Sequence, residues 1–308
     1  MAVVSPVPRH AATDDVPESP RWYAHGLNRS SVYRIATLTA SALPRSVRLR
    51  VAAAVAAVAQ RGFPTERAVV RRNLARILPG APARELDRLV AAVFRNFAVC
   101  FADLITTNRR GDLARLVSVD GLAELAKAAR AGRGLVVLTA HLGNWELAGR
   151  TLARDGDRPT HVVVAAEADP GVERFLRGDG APVRFVTPTA PTASLALVAA
   201  LRRGEIVALQ GDRALGSRGD VQHPFFGAPA PFPLGPFLLA RAAGAPVVSA
   251  FCLLDADRRY RIVVGTPWVV ETGGERAALG RWVRVLEEQV RRHPTQWFNF
   301  YDVWGPTR

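Results

Sequence analysis

From Val117 onward the sequence alternates between two textures, and that alternation constrains the fold more than any other feature. Short apolar, β-branched runs recur: GLVVLT at 134–139, HVVVAA at 161–166, VRFV at 183–186, IVALQ at 206–210, PVVSAFCL at 246–253 and YRIVVG at 260–265. Between them lie stretches of helical spacing: GLAELAKAARAG, WELAGRTLARDG, ASLALVAALRRG, LGPFLLARAAG and ERAALGRWVRVLEEQVRRHP. Short strands that are apolar throughout and alternate with helices predict an α/β core whose sheet is mostly parallel or mixed and flanked by helices. From about Trp22 to Leu116 the pattern is instead helical, and Pro79–Gly80 closes a helix expected to start at a Thr65 cap. The expected organisation is a disordered tail over 1–20, a helical, membrane-facing layer over 21–116 and an α/β catalytic core over 117–308. The last two form one structural unit.

The chain has 308 residues, of which 49% are hydrophobic, enough for a substantial core. Its net charge of +14 raises nucleic acid as a partner. The charge is almost wholly arginine, with Lys127 the one lysine, and it is dispersed rather than gathered in blocks interleaved with aromatics. Nucleic acid is therefore not the expected partner. Anionic lipid, acyl-CoA phosphates or an acidic carrier protein suit the charge equally. Cys100 and Cys252 share no motif, which argues against a disulfide framework or a cysteine metal site. The first twenty residues lack the apolar core of a signal peptide. VAAAVAAVAQ at 51–60 has about half the ~20 residues that cross a bilayer, so no membrane span is expected.

One stretch carries the chemistry. In GLVVLTAHLGNWELAG (134–149) an apolar strand ends at His141, and the helix from Trp145 holds Glu146 in its first turn. Ligands of open α/β sheets bind at that exit edge. Five helical steps would turn His141 and Glu146 roughly 140° apart, so they meet only if His141 lies outside the helix and folds back over its start. Gly143 permits the tight turn and Asn144 can cap the helix. The pair then forms a base and its orienting carboxylate. Gly-x-Ser-x-Gly is absent, so the histidine has no attached nucleophile and suits direct deprotonation of an alcohol, worth ~10²–10⁴ in rate. Backbone amides at the helix start would serve the oxyanion. The same spacing also fits a histidine that is only hydrogen-bonded structure. One histidine and one carboxylate are too few ligands for a metal site.

TAHLGNWELAG resembles the His-x4-Asp/Glu signature of the glycerolipid acyltransferase superfamily. The wider match is to the lipid A biosynthesis acyltransferase branch and the similar phosphatidylinositol mannoside acyltransferases. EADPGVERFLRGDGAPVRFV at 167–186 resembles that branch's segment after the second strand, with Glu167 and Arg177 in the expected places. The block from Gly204 to Phe251 resembles its most distinctive region, and HPTQWFNFYDVW its closing signature. The likeness runs in order over about 65–305.

The resemblance implies a glycerolipid acyltransferase-like fold and acyl transfer from a thioester to a hydroxyl of a membrane glycolipid or lysolipid. His141 would be the general base and Glu146 its partner, with no cofactor beyond acyl-CoA or acyl-carrier protein as co-substrate. Asn144, Trp145, Glu167, Arg177, Asp212 and Arg213 would line the substrate cleft, with Asp212 holding the acceptor hydroxyl or the dyad, although Asp212–Arg213 also reads as a local surface ion pair. Phe225 and Phe226, with Phe232 and Phe237, either wall an acyl groove or cover one end of the sheet. The aromatics from Trp297 to Trp304 fit a buried C-terminal strand better than a membrane interface. Many relatives of this kind begin with a transmembrane anchor. Here there are only broken amphipathic helices over 31–61, with arginines at 34, 45, 48, 50 and 61, suited to lying on an anionic membrane. That leaves other glycolipid or lipid-like acceptors open and implies a peripheral enzyme at the cytoplasmic face of the inner (plasma) membrane. A catalytically silent lipid- or carrier-binding protein and an acyl thioesterase are the alternatives.

Overall fold

A computed structural model describes residues 30–107, 116–130, 132–155, 158–164, 183–188, 192–214, 216 and 219–305. Four helices come first: α1 (Ser30–Ala42), α2 (Arg45–Ala59), α3 (Pro64–Ile77) and α4 (Ala83–Thr107). Helix α3 starts at Pro64 after Phe63 rather than at a Thr65 cap. Proline suits the first helical position because the amide it lacks has no intrahelical partner there.

Helix α4 corrects the expectation that no segment could span a membrane. Ala83–Thr106 is long and apolar enough to do so by length and composition. Half of its apolar window is nevertheless packed inside the protein. Val90, Val93, Val99 and Cys100 are buried. At its far end Asp103, fully buried, takes both forks of Arg45 (3.1 and 2.7 Å), Arg48 (3.4 Å) and the Tyr260 hydroxyl (2.9 Å). That cluster ties α2 and α4 to the sheet.

The core is a seven-stranded sheet in the order β1-β9-β8-β2-β5-β3-β4. Its strands are β1 (Val117–Asp120), β2 (Leu135–Thr139), β3 (Thr160–Val163), β4 (Val183–Val186), β5 (Ile206–Gln210), β8 (Val247–Leu254) and β9 (Tyr260–Val264). Neighbours are parallel except β8 and β9, so the sheet is mixed, as its sequence texture implies. Helices α5 (Leu122–Arg130), α6 (Trp145–Asp155), α7 (Ala193–Arg202), α8 (Gly235–Ala243) and α9 (Glu275–Arg292) follow the amphipathic stretches. The central strands β2, β5 and β8 are buried almost end to end, which is why they read as unbroken apolar runs.

Two elements depart from the sequence reading. The proline-rich block forms an antiparallel pair, β6 (Asp220–Phe225) and β7 (Ala228–Pro233), set apart from the main sheet. A two-stranded ribbon is all edge, and edges tolerate the missing amides of proline. The segment after Pro294–Gln296 is buried but extends as a strap rather than a ladder strand. It bonds back across the loop that follows β2, through Gly143 N–H to Gln296 O (2.9 Å) and Phe298 N–H to His141 O (2.8 Å).

Candidate active site

Strand register builds the site. β2 and β5 are parallel neighbours paired at Thr139 and Gln210. The residues two steps beyond that pair are His141 and Asp212, so the topology sets an imidazole beside a carboxylate at the strands' carboxyl ends. Nδ1 of His141 lies 2.8 Å from Asp212 Oδ1, and the His141 amide donates to Oδ2 at 3.1 Å. Two donors from the strap complete the carboxylate's shell: Trp297 Nε1 at 3.1 Å and Asn299 Nδ2 at 3.3 Å, both to Oδ2. Asp212 is 1% exposed.

Sequence spacing gave the orienting role to Glu146; the carboxylate bonded to Nδ1 is that of Asp212. Glu146 lies in the first turn of α6, one turn before Arg150, whose positive charge it favours against the opposing effect of burial. The loop between β2 and α6 is shaped by Gly143 at φ +67°, where a Cβ would fall 2.0 Å from the Cys252 carbonyl oxygen. Asn144 follows and caps α6, its Oδ1 accepting from Leu147 N–H at 3.4 Å. Its Nδ2 donates to the Cys100 carbonyl and its backbone N–H to that of Cys252. Both ends of its buried side chain are bonded to protein, and these bonds shape the loop. Trp145 stands edge-on to the His141 ring, centroids 4.9 Å apart.

Arg213 does not pair with Asp212 at the surface. It donates from Nε to Asn299 Oδ1 (2.7 Å) and from a terminal nitrogen to Phe298 O (2.8 Å), and it lies over the Tyr301 ring. Phe225 departs from the groove reading. It is wholly buried, stacked on Trp304 and edge-on to Phe232 and Trp297, as core. Phe232 and Phe237 are also buried. Phe226 is only partly buried, under the guanidinium of Arg291. Glu167 and Arg177 lie outside the described residues. Sequence reasoning missed Asn299 altogether and read Trp297 only as an aromatic. Both lie more than eighty positions from Asp212, and no local periodicity signals such a partnership.

Burial pushes the His141 imidazole below its ordinary range and Arg213 adds to that, against the pull of Asp212. Burial opposes ionisation of Asp212, yet His141, its hydrogen bonds and Arg213 outweigh it and hold that carboxyl far below the usual range. At neutral pH the pair is an anionic carboxylate and a neutral ring. Such a ring donates Nδ1–H to Asp212 and carries its basic lone pair on Nε2. Among the described residues, no group of three or more His, Cys, Asp or Glu side chains is placed to hold a metal ion.

Comparison with known proteins identifies the family. The model of the bacterial lipid A biosynthesis acyltransferase family matches residues 27–305. A phosphatidylinositol mannoside acyltransferase of Mycobacterium tuberculosis is 29% identical over 294 residues, covering 90% of this chain and 91% of the relative. One from Mycolicibacterium smegmatis is 29% identical over 65% of this chain and 66% of its own length. The lipid A biosynthesis palmitoleoyltransferase of Escherichia coli is 22% identical over 83% of this chain and 84% of its own. The chain belongs to the bacterial lipid A biosynthesis acyltransferase family and is an acyltransferase.

Proposed function

We propose that the protein moves a fatty acyl group from acyl-CoA or acyl-carrier protein to a hydroxyl of a membrane glycolipid or lysolipid, with His141 as general base. The observation that carries this reading is the His141–Asp212 pair at the carboxyl ends of β2 and β5. Nε2 removes the acceptor proton as the hydroxyl oxygen attacks the thioester carbonyl. Asp212 fixes the tautomer and stabilises the imidazolium. The tetrahedral intermediate expels the thiolate, which takes the proton back from the ring. No covalent acyl-enzyme forms. Trp145, against the ring, borders the acceptor side.

Exposed apolar positions on α1 and α2 support attachment to a membrane. Ile35 and Leu38 are exposed, as are Val47, Val51, Val55 and Val58, which recur every three or four residues along one stripe of α2. Arg34, Arg50 and Arg61 are exposed beside them. An apolar stripe flanked by arginines suits the interface of an anionic bilayer, and we assign it to the cytoplasmic face of the plasma membrane.

The test is incubation with labelled acyl-CoA and acyl-carrier protein, with and without total lipid extract. Transfer predicts a labelled lipid that needs the extract. Free fatty acid independent of extract marks a thioesterase, and binding without thiol release marks a silent binder. The His141→Ala protein should fold and lose transfer; near-parental turnover in it rejects the assignment. Lipid mass spectrometry of cells lacking the protein should reveal a species short by one acyl group.

A further inference from the structure

We propose that Asn299 is a positioning residue of the reaction, an amide spacer that keeps the Arg213 guanidinium off the Asp212 carboxylate. This rests on the reading of His141 as the base. Asp212 and Arg213 are opposite in charge, and both side chains reach the Asn299 amide, close enough for the Arg213 charge to act on the Asp212 carboxylate. The guanidinium is bonded to Asn299 Oδ1 at 2.7 Å, and Asn299 Nδ2 is bonded to Asp212 Oδ2 at 3.3 Å. Arginine only donates and an ionised carboxylate only accepts, so a residue standing between them must accept on one side and donate on the other. An amide of this length does both. An aspartate there has no donor for Asp212, and a leucine has neither group.

The surroundings hold the spacer in place. Asn299 is 1% exposed. Its own carbonyl and that of Tyr301 both accept from Asn73 Nδ2 on α3, at 3.2 and 2.9 Å. Phe298 O and the Tyr301 ring engage the guanidinium on the strap. Trp297 Nε1 supplies a second neutral donor to Oδ2. Asp212 is thus solvated by neutral N–H groups and keeps its full charge for the imidazole. A guanidinium clamped on it would cancel that charge and drain basicity from the ring. Among the described residues, the charged groups that act on the His141 imidazole are Asp212 and Arg213 after β5, and the Tyr301 phenol on the strap faces the same two side chains. Burial keeps the Tyr301 phenol protonated far above its ordinary range.

The test is an NMR titration of the His141 imidazole in the full chain, which needs no substrate, beside a pH–rate profile of acyl transfer. In Asn299→Leu the guanidinium swings onto Asp212. The imidazole pKa should fall by about one pH unit and kcat by up to about tenfold, with KM within about threefold. Adding Arg213→Met to that variant should return the pKa toward the parental value, which mere loss of packing does not do. Asn299→Asp, nearly isosteric, pairs with Arg213 and faces Asp212 with a second carboxylate, so the imidazole pKa should rise. The spacer role is overturned by an unchanged titration in folded Asn299→Leu, or by no recovery in the double variant. Should Asn299→Leu fail to fold, an unchanged or lowered pKa in Asn299→Asp overturns it. If His141→Ala keeps its turnover, the reading of the base fails while the titration still judges the spacer.

Discussion

Replacing Asp212 with asparagine keeps the shape of the site and removes one charge. In the transition state the His141 ring becomes a cation beside a carboxylate whose Oδ1 is 2.8 Å from Nδ1. Opposite charges about 4 Å apart are worth about 4 kcal/mol at an effective dielectric near 20. At 1.36 kcal/mol per tenfold, the loss corresponds to a fall of about 10³ in kcat. Tautomerism works in the same direction. Oδ2 receives the His141 amide, the Trp297 indole and the Asn299 amide, so an asparagine at 212 must present its own oxygen to them. Its NH₂ then faces Nδ1 and forces the ring to carry its hydrogen on Nε2, where the lone pair is needed. The assay is thiol release from an acyl thioester in the presence of acceptor lipid, with a thermal melt as control for folding. Asp212→Asn should show kcat down about 10³-fold and KM within about threefold. A folded variant whose kcat stays within about tenfold of the parent refutes the reasoning. The pair also sets a pH signature. The carboxyl's folded pKa is depressed, so its stabilisation is complete above the ordinary carboxylate value of about 4 and is lost as pH falls through the folded value. The ring's folded pKa is also depressed. Below about 6.5 the unfolded chain takes up a proton the folded ring declines, so stability declines from there downward.

Three further outcomes follow from the packing. Gly143→Ala places a Cβ 2.0 Å from the Cys252 carbonyl oxygen at φ +67°. The left-handed backbone alone costs about 1–2 kcal/mol, so calorimetry should show Tm lower by at least roughly 2–3 °C together with loss of transfer. Asp103→Ala leaves Arg45, Arg48 and the Tyr260 hydroxyl without their shared carboxylate, which should cost about 3–5 kcal/mol in urea unfolding; a change below about 1 kcal/mol contradicts the assigned role. Val51→Glu with Val55→Glu alters exposed positions only, so Tm should hold within about 2 °C while sedimentation with phosphatidylglycerol vesicles drops. Unchanged sedimentation removes α2 from the membrane-facing surface.

Strands β2, β5 and β8 were legible in the sequence because burial on both faces demands unbroken apolar runs of strand length. The pair β6 and β7 was not. Pro224, Pro229, Pro231 and Pro233 read as loop wherever a strand is assumed to need every amide, and only a ribbon outside the main sheet relaxes that need. The turn into α6 was legible at Gly143 and Asn144, since a positive φ and a helix cap are local requirements. The carboxylate at Nδ1 was not, because His141 and Asp212 meet only once β5 is known to lie beside β2. Glu146, nearer in sequence, was read as the carboxylate beside the ring, whereas the hydrogen bond at Nδ1 is with Asp212. Asn299 was beyond reach for a stronger reason, since its contacts run through an extended segment with no periodicity of its own.

The strap fixes when in its own synthesis the protein acquires a competent base. His141 and Asp212 leave the ribosome well before Trp297 and Asn299, so a nascent chain carries the imidazole and its carboxylate without the two donors that settle them. Assembly of the proposed reactive centre therefore waits until that later stretch has been translated. A nascent chain that stops short of the strap holds an imidazole and a carboxylate that nothing from that segment has yet fixed in place.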